Sequence, residues 1–335
     1  MKKIVSQRDI AKILGVNVST ISRALKGLPG VSQELRQKVL ELADENGYRP
    51  NPFAMSLRYG ATRMIGIVVP DIAYNHYAHI VKWIEEEAKK NGYMCIVTDS
   101  SDKYRNEIGC VKQLINMHVE GIAICLSQET VDFAYLERLQ AENIPIVLFD
   151  RVADIRCSTV RFNDVESARQ ATLHLIDSGA KRVAFLGGPN QMKQTIDRKH
   201  GYLEALRERG FTIRKRLVKC GQISFNSGLS DALALLDQQE KPDAILADNG
   251  LLSIATFQAI LSRGLRIPED IAIIGFMSDW VSGMTYPRMT FVKQNLKEMG
   301  KNTFKLLMDQ IHGDSRITHV VVQARLNVRE STSKI

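Results

Sequence analysis

The chain has 335 residues, 44% of them hydrophobic, and a formal net charge of +8. That length exceeds what one hydrophobic core usually serves, so two or three globular domains are expected. No apolar run reaches membrane-spanning length, and Met1-Lys2-Lys3 leads towards the first predicted helix without the apolar stretch of a signal peptide; a cytoplasmic protein with no membrane partner is expected.

The placement of the charge says more than its size. Residues 1–60 hold ten Lys/Arg against five Asp/Glu, a net +5, which leaves +3 for the other 275 residues. A small basic module on a near-neutral body is the electrostatic footprint of a nucleic-acid-binding domain.

Ser6-Gln7-Arg8-Asp9 has the spacing of a capping box, and Ile10, Ala11 and Leu14 give the helix after it an apolar stripe. Gly15-Val16 leaves enough chain for a tight turn. Asn17 can cap a second helix whose apolar side is Ile21, Ala24 and Leu25, with Leu28 just beyond. Its other side, Val18, Ser19, Ser22, Arg23 and Lys26, is small, polar and basic. Short hydroxyls can approach bases or phosphates closely, and Arg can fork onto guanine in the major groove. Gly27 to Gly30 breaks the helix, and Ser32 caps a third with Leu35, Val39, Leu42 and Ala43 on one face. Three short helices with a glycine turn between the first two make a helix-turn-helix. Asn46-Gly47 ends the third helix, and Pro50 and Pro52 force extended backbone before the short helical segment 53–58.

From residue 64 onward, uninterrupted apolar runs alternate with helical patterns. The runs are 65–70, 94–98, 121–126 and 145–150, then 159–162, 183–187, 244–247 and 271–276; helices fall between them at 77–91, 167–178, 201–209 and 251–263. Continuous apolar strands suit parallel sheets buried on both faces, and the length suffices for two of them. Ligands in open parallel sheets sit outside the carboxyl ends of the strands. Residues just after the runs are therefore the candidates for a cleft.

Other chemistry is poorly supported. The five cysteines form no C-x-x-C pair and read as buried, reduced thiols. His76-x-x-His79 lacks a third nearby metal ligand. Phe185–Pro189, "FLGGP", lacks the spacing of a nucleotide loop. No Ser/His/Asp set or paired carboxylates suggest catalysis, so neither an enzyme nor a bound cofactor or metal is expected.

The run "RDIAKILGVNVSTISRALKGLPGVSQELRQKVLELADENGYRPNPFAMSLR" resembles the headpiece of the lactose-repressor (LacI/GalR) family of transcription regulators. The likeness continues through "IGIVVPDI" from Ile65, "IPIVLFDR" from Ile144, "RVAFLGGP" from Arg182, "LRIPEDIAIIGF" from Leu265 and "VRES" from Val328. It implies an α + α/β chain: a helix-turn-helix headpiece at 1–49, a hinge helix and linker at 50–61, and a two-lobed body at 62–335 resembling periplasmic sugar-binding proteins. Lobe 1 would be about 62–160 and 292–320, lobe 2 about 161–291 and 321–335. The implied function is sequence-specific binding of a double-stranded palindromic operator as a homodimer, mostly in repression, under control of a small effector held between the lobes. The rival readings are a solute-binding protein that only carries ligand and an α/β enzyme. With no leucine heptad after Val328, a tetramer built on a C-terminal coiled coil is not expected.

Residue by residue, the resemblance assigns DNA contacts to Ser6, Asn17, Val18, Ser19, Thr20, Ser22, Arg23 and Lys26. It adds Asn51, Ala54 and Leu57 in the hinge, with Leu57 as an apolar wedge in the minor groove. For the effector it assigns Asp71, Asn75, Tyr77, Asp150, Arg151, Arg198, Asp248, Met277 and Gln294. Three departures from the family pattern bear on the ligand. Tyr74-Asn75-His76-Tyr77 stands where Asn-Pro-Phe-Phe is usual, Asp248-Asn249 inverts the usual order, and Met277 replaces a carboxylate suited to sugar hydroxyls. A sugar or sugar derivative anchored by Arg198 is expected, with an acidic group favoured over a neutral sugar.

Overall fold

A computed structural model describes residues 6–25, 27–48 and 61–333. Of the expected DNA contacts, Lys26, Asn51, Ala54 and Leu57 lie outside the described residues. The chain divides into two compact units, Met1–Thr62 and Arg63–Ile335.

The first unit is built from α1 (Gln7–Leu14), α2 (Val18–Leu25) and α3 (Gln33–Glu45). Ser6 and Asp9 form the reciprocal capping box, each accepting from the other's backbone amide. Gly15 ends α1 at φ +64°, a left-handed conformation that costs glycine little and lets α2 start after a two-residue turn. Ser32 caps α3 by accepting from the Leu35 amide. Ile10, Ala11, Ile21, Ala24, Val39 and Ala43 close a small core, with Leu14, Val16, Leu25, Leu35 and Tyr48 packed around it. Leu28, expected on the apolar side, is exposed instead, because α2 has ended before it.

The second unit contains strands β1 (Met64–Val69), β2 (Met94–Asp99), β3 (Ile122–Ile124), β4 (Ile146–Phe149), β5 (Ser158–Phe162), β6 (Val183–Gly187), β7 (Val218–Cys220), β8 (Ala244–Ala247), β9 (Ala272–Phe276), β10 (Thr290–Gln294), β11 (His319–Val322) and β12 (Ala324–Asn327). They form two six-stranded sheets of the same winding, ordered β11-β5-β4-β3-β1-β2 and β12-β10-β9-β8-β6-β7. Every described pairing is parallel except β10 with β12. Strand order reverses beside β1 in one sheet and β6 in the other, and a ligand crevice is expected there.

Helices cover both faces: α4 (Asn75–Lys90), α5 (Tyr104–Asn116), α6 (Ala134–Ala141), α7 (Asp164–Asp177), α8 (Lys193–Glu208), α9 (Phe225–Leu236), α10 (Gly250–Ser262), the short α11 (Asp279–Ser282) and α12 (Leu296–Ile311). β5 pairs with β4 and not with the second set of strands, and β10 lies wholly in the second sheet. The chain thus crosses between lobes after Phe162, at Asn295 and at Gln323, a few residues beyond the boundaries read from the sequence. Strand pairing draws these boundaries: Val292↔Phe276 and Val322↔Phe162 are pairs within one sheet each.

Helices α7 and α8 meet at Gly201, where a Cβ would overlap the Val165 carbonyl oxygen and come within 2.9 Å of the Arg169 amide nitrogen. Neither backbone atom can swing away as a flexible side chain would. Gly201→Ala should therefore destabilise the body by about 1–3 kcal/mol or more, read as a lowered thermal midpoint; an unchanged midpoint would show that this helix pair is not held at the distance described.

Candidate nucleic-acid interface and ligand cleft

On α2 the exposed side consists of Val18, Ser19 and Arg23, with Asn17 exposed just before it and Thr20 half-buried. The Asn17 carbonyl accepts from the Thr20 and Ile21 amides, which fixes the first turn. Arg23 has no carboxylate partner among the described residues. Its donors stay available to a base or a phosphate. Ser6 is exposed too, although its hydroxyl is engaged with Asp9. Ser22 departs from expectation: it is only 7% exposed. It sits one helical step from Ile21 and on the same side as Leu25, so the core rim covers it.

The cleft of the second unit is lined where the strand ends of the two sheets face each other. Arg198 is its largest buried group, at 2% exposed. It is carried by α8, whose first two turns read as polar because their buried face is Thr195, Asp197 and Arg198. Its Nε donates to Asp164 at 2.7 Å, one Nη donates to the Asp248 carbonyl, and the guanidinium lies 4.0 Å from the Phe276 ring centre. Burial pushes the Asp164 carboxyl up to about 6 although Arg198 opposes the shift. Burial likewise raises Asp248 against the pull of Arg198.

Asp150 follows β4 in a left-handed conformation, φ +58°, and its Oδ1 lies 3.0 Å from His76 Nε2. Burial would raise this carboxyl, but His76, Arg151 and Arg198 together hold it below the usual range. Arg151 donates to Asp102 at 2.6 Å and lies over the Tyr77 ring. Tyr74, His76, Tyr77 and Phe162 form a run of ring contacts beside it. Tyr74, His76, Tyr77, Asp150, Arg151 and Arg198, together with Asn249, Gln194 and Gln294, line a cavity of about 40 Å³. The Gln294 Nε2 is buried there with no hydrogen-bond partner among the described residues, an amide left over for something else to satisfy.

The structure thus brings together Tyr77, Asp150, Arg151, Arg198 and Gln294 from the expected set and leaves four out. Asp71 is exposed and accepts from the Ala73 amide in a local turn. Asn75 opens α4 but does not line the cavity. The Asp248 carboxylate is spent inside lobe 2, accepting from the Gly188 amide, the Thr195 hydroxyl and the Asn249 side chain. The cavity wall there is its neighbour Asn249. Met277 packs into the lobe 2 core and, with His79, Trp83 and Arg325, borders an adjoining open groove of about 1060 Å³ that shares His76 and Gln294 with this cavity.

Sequence reasoning missed Tyr74, His76, Gln194 and Phe276 as wall residues, and Asp102 and Asp164 as the partners of the two arginines. Position after a strand pointed to Asn249, and the carboxyl end of β9 could have pointed to Phe276. Nothing local marks Asp102 or Asp164. All five cysteines are free, and no group of His, Cys, Asp and Glu among the described residues could hold a metal ion.

Residues 7–51 match the family described as bacterial regulatory proteins, lacI family, and residues 172–332 match a periplasmic binding protein-like domain. The chain is 31% identical over 330 residues to the HTH-type transcriptional regulator DegA of Bacillus subtilis, covering 98% of each protein. A solved complex of the transcriptional regulator CelR with cellobiose superposes with a TM-score of 0.75 at 28% identity, covering 98% of this chain and 99% of that one. The lac repressor dimer bound to operator and an anti-inducer has the same fold, with a TM-score of 0.87 at 23% identity over 98% of this chain and 99% of that one.

Arg23 supplies the sharpest test of the α2 face. Arg23→Ala should cost about 1–3 kcal/mol at a specific DNA site if the guanidinium forks onto a guanine, while binding to random DNA changes far less. Equal affinities of mutant and wild type for both DNAs in a fluorescence anisotropy titration would remove α2 from the interface.

Proposed function

Because the chain belongs to the lacI family of bacterial regulatory proteins, we propose that α2 reads a palindromic operator in a homodimer and that the cleft between the lobes binds a small effector controlling that reading. The chain is a transcription regulator by family. What this reading adds is the residues. The observation that carries it is the α2 face: Val18, Ser19 and Arg23 stand exposed on a three-helix unit whose core is otherwise closed. A single helix reaches only a few base pairs, and two-fold pairing doubles the site into a palindrome. Asn17, Thr20 and Ser6 flank that face; Lys26 and the hinge residues Asn51, Ala54 and Leu57 extend it on sequence grounds alone.

No helix among the described residues is long and apolar enough to cross a membrane. The reading places the protein in the cytoplasm, where its DNA partner is. For the effector, the family relative in complex with cellobiose supports a ligand of sugar type or similar size in the cleft. Arg198 orders the cleft in this reading, and Gln294 offers the free amide.

Arg198→Ala leaves Asp164 buried without its cation, so the body should lose stability, by about 3–5 kcal/mol for a broken buried pair. Operator binding by the headpiece should persist at a temperature where the mutant is folded, and the response of that binding to cell metabolites should vanish. Anisotropy of a fluorescent operator, titrated with a small-molecule extract in both proteins, measures this. A mutant that responds like the wild type would show that the cleft is not the control site.

A further inference from the structure

Leu28, which the helical pattern of α2 places on the buried side, stands 47% exposed beyond the end of that helix. A single exposed leucine is ordinary. This one differs in how firmly its backbone is held. Its amide donates to the Arg23 carbonyl at 3.1 Å, and its own carbonyl accepts from Arg36 Nη2 at 2.7 Å. Gly27 at φ +69° and Gly30 at φ +94° supply the bends on either side, and Pro29 fixes its own φ. Val31 ends the loop by packing on the core. We infer that this loop is a second reading element of the first unit: Leu28 contacts the C5-methyl group of a thymine in the major groove, and Arg36 is the positioning residue that holds it there. The inference deepens the proposed reading of DNA by α2 and rests on it.

Placement is the first argument. A Cβ on Gly30 would lie 3.4 Å from Arg23 Nη1, so the guanidinium rests against the loop two residues from Leu28. Two residues of chain span at most about 7 Å, and base pairs rise about 3.4 Å each. Leu28 therefore falls within about three base pairs of whatever Arg23 reads.

Charge is the second, and it selects the partner. The loop from Gly27 to Val31 has no charge of its own. On α3, Glu34 pairs with Lys38 and Glu41 accepts from Gln37, so these carboxylates are engaged within their helix. Arg36 gives one Nη to the Leu28 carbonyl, and its Nε is buried with no hydrogen-bond partner among the described residues. Arg23 has no carboxylate partner among them either. Two cations thus flank an apolar tip. An apolar patch on another protein would have to desolvate both. A duplex offers phosphates at the groove edge and base edges just inside it, and the thymine methyl is the apolar group among those edges.

Rigidity is the third. A methyl contact is small, and a mobile leucine would lose about as much in ordering as the contact gains. The bonds to Arg23 and Arg36 impose that order in the folded unit before DNA arrives.

The test uses full-length protein and a duplex that the wild type has selected from a randomised pool. Each thymine is replaced in turn by uracil, which removes the methyl group alone. The guanine read by Arg23 is identified as the position to which Arg23→Ala is indifferent. At a thymine within about three base pairs of it, uracil should weaken the wild type about four-fold, the effect of one buried methyl-sized group. Leu28→Ala should bind thymine and uracil duplexes alike, and Leu28→Met should keep the preference. Leu28 lies outside the core of the unit, so neither change puts folding at stake. Arg36→Gln, measured below its thermal midpoint, should lose the thymine preference and keep the guanine preference that depends on Arg23. The inference is overturned if no uracil substitution separates the wild type from Leu28→Ala, or if Arg36→Gln keeps the full thymine preference. In either case a lost guanine preference in Arg23→Ala leaves the α2 reading standing. If Arg23→Ala binds selected and random duplexes as the wild type does, that reading falls and this inference with it.

Discussion

The buried pair of Asp164 and Arg198 is the contact on which the body depends. Asp164 begins the first helix after the chain has left lobe 1, and Arg198 comes from the helix packed beside it. The same guanidinium reaches the carbonyl at the end of β8 and covers the Phe276 ring at the end of β9. Four elements of lobe 2 are thus registered by one planar cation. Lysine could not replace it, since a point charge cannot hold a carboxylate, a carbonyl and a ring face at once. Such a pair stabilises little relative to a well-packed apolar substitute, but breaking it is costly. Its value lies in fixing one arrangement of the strand ends that form the cleft.

A matching hub stands in lobe 1. Asp102, in a left-handed conformation at φ +57°, accepts from Arg151 and from both the backbone and side-chain nitrogens of Gln128. This turns the remaining oxygen of Gln128 towards lobe 2, where it accepts from the Ile223 amide at 2.8 Å, while its carbonyl takes the Gln191 side chain. One carboxylate therefore orients both a cleft arginine and a bridge between the lobes. Arg161–Asp197 and Lys193–Asp154 add charged bridges nearby. Partly exposed pairs of this kind contribute only about 0–1 kcal/mol each. A bridge made of such contacts can be rearranged at small cost, as a switch requires.

How much of this was legible in the sequence follows from how local each signal is. The headpiece was nearly complete on the page, because capping boxes, a left-handed glycine and an apolar stripe are short-range features; Ser22 was misplaced, at the rim of the stripe where a small polar residue satisfies either side, and so was Leu28, which lies beyond the end of α2. The long apolar runs gave the parallel strands. The edge strands β7, β11 and β12 and the crossing strand β10 did not stand out, being short, partly exposed or broken by charge such as Lys293. In the cleft, position after a strand pointed to Asp150 and Arg151, and the family resemblance supplied Gln294. Strand position also pointed to Asp248, whose carboxylate is turned inward onto the Gly188 amide and the Thr195 hydroxyl. The partners of the arginines were out of reach, since Asp102 lies 49 residues from Arg151 and Asp164 lies 34 from Arg198. Which charge meets which is decided by the sheet order alone.

A ligand can shift the balance between two lobe arrangements only by the difference between its affinities for them. A molecule bound wholly inside one lobe would bind both arrangements alike and change nothing. A site such as the cavity between Asp150 and Arg198 avoids this, because its walls belong to different lobes. An apolar group buried between two such walls is exposed again when the lobes part. At about 25 cal/mol per Å², roughly 100 Å² of ligand and wall buried only in the closed arrangement gives about 2.5 kcal/mol. That lies within the usual range of allosteric coupling, about 1–3 kcal/mol. It also exceeds what any one of the exposed charged bridges contributes. An apolar contact of that area between ligand and both lobes is thus sufficient to decide the lobe arrangement. The buried pairs behind it keep each lobe rigid, so the difference is expressed between the lobes and not lost within them.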